Sequence, residues 1–259
     1  MAGLAVVFGS ILAIAFRYLK VEEDPRIDQL EEMLPGNNCG ACGSPGCRAF
    51  AEGLTVGSFR PAQCTVSSSD NIDRIAHFLG VDAGSIVKQV ARLHCAGGKG
   101  LVKELAQYRG MTTCRGAVIV NGGGRACVYG CLGLADCERA CSFGAIRMNT
   151  AGLPVVDTDL CTACGDCVDV CPLHLFHLEP LAQKLVVQCS SPLTGSLATS
   201  ICAVACDACG RCVSDAEPGV LEMVSGLPVI RKADETQVNA TYRCPTGAIQ
   251  WVAKDQFPV

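Results

Sequence analysis

The sequence predicts an α+β chain assembled from several small modules, and three observations carry that prediction. Sixteen of its twenty cysteines fall into four compact groups. Two stretches in the C-terminal half repeat one another, and the residues from Met1 to Phe16 carry no charge. In chain order these features divide the 259 residues into an apolar N-terminal segment (1–20), a helical cysteine-bearing module (21–80), a mixed linker module (81–126) and two tandem repeats (127–180 and 181–259).

The N-terminal run is interrupted only by Gly and Ser and is followed by Arg17 and Lys20. Sixteen helical residues rise about 24 Å, short of a hydrocarbon core of about 30 Å, although Tyr18 and Leu19 extend the apolar stretch and Arg17 can snorkel. A buried core helix is the alternative for a run of this length, but an all-apolar run offers no amphipathic face to dock. The segment is therefore read as a single-pass inner-membrane helix. The basic residues after it place the bulk of the chain on the cytoplasmic side.

Next, Asp24 to Leu34 reads as a helix with Asp24 as N-cap, Pro25 in its first turn, and Ile27, Leu30 and Leu34 on one face. Cys39-x2-Cys42-x4-Cys47 and then Cys64 follow, set among glycines that let the backbone wrap closely and aim N–H groups inward. A second helix runs from Asp70 to Leu79 and stops at Gly80. In the linker module, 86–93 reads as a strand and 100–108 as a helix.

The run Cys161-x2-Cys164-x2-Cys167-x3-Cys171-Pro172 reproduces the bacterial ferredoxin spacing, in which three thiolates hold one [4Fe–4S] cluster and the fourth cysteine ligates its neighbour. A partner motif is then required, and Cys127-x3-Cys131-x5-Cys137-x3-Cys141 supplies it. Crossing over predicts one cluster on Cys127, Cys131, Cys137 and Cys171, and another on Cys161, Cys164, Cys167 and Cys141. Further on, Cys206-x2-Cys209-x2-Cys212 is intact, but Ala216 stands where the fourth cysteine belongs. The downstream half keeps only Cys244, with Asp234, Gln237 and Ala240 at its loop positions. Under the same crossover these losses remove all four ligands of one cluster and leave Cys206, Cys209, Cys212 and Cys244 for the other. The Cys39, Cys42, Cys47 and Cys64 group completes an expected set of about four [4Fe–4S] clusters.

Repetition supports two tandem bacterial ferredoxin-like domains. The octapeptides beginning at Cys141, Ala216 and Cys244 align without gaps, and Gly152-Leu-Pro-Val-Val156 returns as Gly226-Leu-Pro-Val-Ile230. Zinc is the ordinary alternative for a cysteine cluster, but three cysteines on one loop with a distant Cys-Pro favour iron–sulfur ligation. No secretory signal pattern places these thiols in an oxidising compartment, which disfavours disulfides. Cys95, Cys114, Cys189 and Cys202 match no loop spacing; their number would permit a fifth cluster, free cysteine is more often a small buried apolar residue, and the four are left unassigned.

Other chemistry is sparse. The glycines of 96–100 and 121–124 lack nucleotide-binding spacing, and His94, His174 and His177 belong to no catalytic pattern. A net charge of −4 without a basic run excludes a nucleic-acid face, and 5% aromatic content suits modules whose interiors are filled by clusters.

An apolar anchor, then Val21-Glu-Glu-Asp-Pro-Arg26, the run from Leu34 to Cys47 and the run from Ala126 to Cys137 together resemble the B subunits of the Rnf complex, an ion-translocating ferredoxin:NAD oxidoreductase. The resemblance covers nearly the whole chain. It implies an electron-transfer subunit without a complete active site of its own, which exchanges electrons with soluble ferredoxin and passes them to membrane partner subunits. Flavin and nicotinamide would sit on those other subunits. The alternatives are a membrane-anchored polyferredoxin of another reductase and, from a different class, an iron–sulfur redox sensor or scaffold.

Overall fold

An apolar run without breakers winds into one helix, α1 (Ala2–Leu19). The structure, a computed structural model, describes residues 2–19, 24–232 and 238–257. Asp234 and Gln237, two of the vacated ligand positions, and Lys20 therefore lie outside the described residues. The chain divides into two units, Met1–Ser85 and Ile86–Val259.

In the first unit, α1 is followed by α2 (Arg26–Met33), α3 (Cys47–Thr55) and α4 (Ser69–Leu79). Asp24 starts α2, its carboxylate accepting the Arg26 backbone N–H at 2.9 Å. Ser68 caps α4 by accepting from Asn71 N–H, and Gly80 ends it in the left-handed conformation at φ 66°. Leu30, Phe50 and Ile75 close the core between these three helices. Among the described residues no helix is long and apolar enough to cross a membrane. The eighteen residues of α1 rise about 27 Å, so the transmembrane anchor expected from the sequence is not shown.

The second unit contains β1 (Gln89–Leu93), α5 (Cys114–Ile119), α6 (Asp136–Ala140), β2 (Ile146–Met148), β3 (Pro154–Val156), α7 (Asp166–Val170) and β4 (Phe176–Pro180). It continues with β5 (Leu185–Val187), α8 (Gly195–Ile201), α9 (Arg211–Asp215), β6 (Leu221–Val224), β7 (Leu227–Ile230), α10 (Asn239–Tyr242) and β8 (Ile249–Trp251). Every pairing is two-stranded and antiparallel: β2 with β3, β6 with β7, β1 with β4, and β5 with β8. Each repeat is thus a central hairpin flanked by two short helices and closed by its outermost strands, with Arg92 opposite His177 and Val186 opposite Gln250.

Two expectations are corrected. The first repeat begins with β1, inside the segment read as a linker, because Val90 and Leu93 are buried against β4 and need its backbone partners. No helix forms over 100–108. Its amides are taken by distant carbonyls, Lys103 N–H by Ile201 at 2.9 Å and Leu105 N–H by Gly124 at 2.7 Å, so tertiary pairing overrides local propensity. Between the repeats, the ends of β1 and β5 are tied: Ala96 N–H donates to Gln188 C=O at 3.0 Å, and Ser190 Oγ donates to His94 C=O at 2.8 Å.

Candidate iron–sulfur sites

Each cysteine group sits where the backbone turns hardest. Ahead of α3, Asn38 (φ 48°), Gly40 (φ 73°) and Gly43 (φ 84°) curl the chain so that Cys39, Cys42, Cys47 and Cys64 line one cavity of about 340 Å³. Asn38 Oδ1 accepts Cys47 N–H at 2.7 Å and fixes the mouth of that loop at the helix start. Ser67 Oγ donates to Cys64 Sγ at 3.2 Å.

In the first repeat, Cys141, Cys161, Cys164 and Cys167 line a cavity of about 330 Å³. Cys141, from the upstream half of the motif, lines this cavity beside the three cysteines of the downstream loop. Leu175 N–H points at Cys171 Sγ (3.5 Å) as Ala145 N–H points at Cys141 Sγ (3.3 Å), four residues on in each case. The equivalent bends between them use Gly144 (φ 62°) and His174 (φ 50°), so His174 serves the turn. The Cys-rich loops also match: Ala163 and Gly165 in one, Ala208 and Gly210 in the other, are all left-handed. Alanine in that region carries a strain of roughly 1–3 kcal/mol, held by the surrounding fold.

The second cavity of the first repeat corrects one expectation. Its cysteines are Cys114, Cys131, Cys137 and Cys171, around about 350 Å³. Cys114, which the spacing leaves unassigned, opens α5 and takes the place expected for Cys127. Cys127 instead lines another cavity, with Cys95, Cys189 and Cys202. The contiguous run from Cys127 to Cys137 suggests one loop, whereas Thr113 capping α5 through Gly116 N–H presents Cys114 from outside it. Of the four cysteines that the spacing leaves unassigned, Cys114 thus lines this cavity and Cys95, Cys189 and Cys202 line the other.

In the second repeat, Cys212 and Cys244 share one apolar core, and burial pushes the Cys212 thiol up, with Cys244 and Cys209 adding to it. Cys206 is raised to about 11 by burial, with Cys189 and Cys212 adding to it. Of the vacated positions, Ala216 and Ala240 pack into this core beside Val220 and Ile249, so apolar side chains fill the place of the missing ligands.

The donor sets fit iron–sulfur clusters. Four thiols surround each cavity, burial holds Cys137 and Cys167 near 12 against an ordinary 9.0, and a metal's charge would reverse that penalty. Among the described residues no three His, Cys, Asp or Glu side chains are placed to hold a single metal ion. Thiols ranged around a space suit a cubane, whose irons are distributed, better than one tetrahedral ion.

Residues 34–66 match the family model described as a putative Fe-S cluster, and residues 153–177 match a 4Fe-4S binding domain. The chain is 33% identical over 251 residues to the B subunit of the ion-translocating oxidoreductase complex of Methanosarcina acetivorans, covering 96% of this chain and 95% of that one. It belongs to the B subunits of the Rnf complex. The Clostridium ljungdahlii relative, named as the B subunit of a proton-translocating ferredoxin:NAD(+) oxidoreductase complex, is 34% identical over 96% of this chain and 89% of its own. The Acetobacterium woodii relative is named for Na(+) translocation and is 42% identical over 78% of this chain, which spans 60% of that longer protein. As a member of these Rnf B subunits, the chain is an iron–sulfur electron-transfer subunit of an oxidoreductase complex.

Proposed function

We propose that this protein relays electrons between soluble ferredoxin and membrane partner subunits of an ion-translocating ferredoxin:NAD oxidoreductase, with clusters on four groups. These are Cys39, Cys42, Cys47 and Cys64; Cys114, Cys131, Cys137 and Cys171; Cys141, Cys161, Cys164 and Cys167; and Cys206, Cys209, Cys212 and Cys244. The observation that carries the reading is the interlocking of the first repeat, where Cys141 and Cys171 each leave their own helix end to complete the other half's site. Bound [4Fe–4S] clusters supply reversible one-electron storage. The side chains then have only to hold sulfur, exclude water and set the local charge. Burial lowers the pKa of Arg92, with Glu179 and Asp255 the main groups that favour its charge.

The apolar helix α1, with Phe8, Leu12 and Phe16 exposed, supports a further part of the proposal, that it anchors the protein in the inner membrane with the remainder cytoplasmic. Deletion of residues 1–19 should then release the protein from carbonate-washed membranes. Reduced ferredoxin should reduce the isolated protein rapidly and NADH alone should not. Efficient direct reduction by NADH would overturn the relay reading, and retention of the deleted form on membranes would overturn the anchor.

A further inference from the structure

We infer that Cys95, Cys127, Cys189 and Cys202 hold an additional [4Fe–4S] cluster at the seam between the two repeats, an inference that rests on the electron-relay reading above. All four line a single cavity of about 420 Å³. It is of the same order as the cavities of about 340, 330 and 350 Å³ enclosed by the three motif-built groups. No disulfide joins any of the four.

Their placement follows the symmetry of the fold. Cys95 stands two residues beyond the end of β1, and Cys189 two residues beyond the end of β5, which is the corresponding strand of the second repeat. The bonds from Ala96 to Gln188 and from Ser190 to His94 bring those strand ends together. Cys127 and Cys202 then complete the set, one from each repeat. Cys202 ends α8 and bridges to Val102, and its Sγ packs against Gly97 together with that of Cys95. A Cβ on Gly97 would lie 3.2 Å from the Cys202 sulfur and 3.6 Å from the Cys95 sulfur, so a side chain there would crowd the Cys202 thiol.

The surroundings suit a cluster of thiolates. Arg125 is buried and donates to the carbonyls of Cys131 and of Gly97, which lines this cavity. Cys131 N–H donates to Cys95 Sγ at 3.2 Å, so a ligand candidate of the Cys114 group touches this site directly. Through Cys131 the seam site adjoins the Cys114 group of the first repeat, and Cys189 and Cys202 bring to it two residues of the second.

The test is a cluster count on the full-length protein, purified and reconstituted anaerobically. Iron and acid-labile sulfide should each approach about 20 per chain, and native mass spectrometry should resolve five clusters, since each cubane holds four irons. The double variant Cys189→Ser/Cys202→Ser should lose about one-fifth of the iron. About 16 irons in the unaltered chain, unchanged in the double variant, or iron at that level with one zinc, would sink the seam cluster while leaving the relay intact. Near-absence of cluster iron from every form would instead defeat the relay reading itself. If the double variant fails to fold, the native mass of the unaltered chain still decides between five clusters and four.

Discussion

The two repeats of the second unit share strands, helices and hairpins yet differ in what they enclose. In the first, eight cysteines surround two cavities; in the second, four stand at the corresponding motif positions, Cys206, Cys209, Cys212 and Cys244, and Ala216 and Ala240 sit in an apolar core. Strand pairing survives the loss without change of pattern, β5 closing on β8 as β1 closes on β4. The framework of this fold is therefore set by short hairpins and buried aliphatic residues, while cluster capacity resides in a handful of positions that alanine can take over by packing.

The largest effects should come from breaking the interlock of the first repeat. Cys171→Ala should remove about four irons and the spectroscopic signal of the Cys114 group, and Cys141→Ala should remove the same amount from the Cys161 group. The reverse assignment of signals in electron paramagnetic resonance would show that the halves do not cross. The second repeat should lose one cluster, about four irons, in Cys244→Ala, and iron equal to the unaltered chain would exclude Cys244 as the distant ligand.

Acidity gives a finer contrast. With Cys137 and Cys167 raised from 9.0 to about 12 by burial, the folded cluster-free chain keeps protons that the unfolded chain releases. The stability they contribute is complete below about pH 9 and is lost as pH rises toward 12. Urea midpoints of the cluster-free protein should therefore fall over that window, and more steeply than those of the cluster-loaded protein, whose sulfurs no longer titrate. Equal slopes would count against the thiol origin. The smallest effect belongs to the filled core: Ala240→Leu should overpack it and cost about 1–3 kcal/mol in denaturant titration without altering iron content. A loss of iron there would mean that the second repeat is less decoupled from its ligands than its packing indicates.

Much of this arrangement is legible in the chain. Loop spacings pick out the cysteine-rich loops, although Cys114 rather than Cys127 lines the cavity with Cys131, Cys137 and Cys171, and gapless octapeptides expose the duplication. Gly80 marks the end of the helix expected from Asp70 onward, and the structure starts it one residue earlier, at Ser69. What stays hidden depends on distance. The three residues of β5 are too few to show alternation, so the equivalence of Cys95 and Cys189 emerges only when β1 and β5 take matching roles in the fold. Proximity in sequence groups Cys127 with Cys131, and only the approach of Cys114 from α5 separates them. The segment 100–108 looks helical because its composition is; its partners are carbonyls of residues 124 and 201, which no local reading includes.

The crossover also bears on how the protein is made. Cys114 meets its partners only when Cys171 has been synthesised, and Cys141 only when Cys161 to Cys167 have followed it out of the ribosome. The N-terminal group, closed by Cys64, is the exception. A chain arrested just before Cys161 would thus present one finished metal pocket and a cluster of unmatched thiols, a form exposed to oxidation and to adventitious metals. Cluster delivery to the first repeat is accordingly expected only once Cys171 has emerged, with translation speed setting how long those thiols stay unguarded.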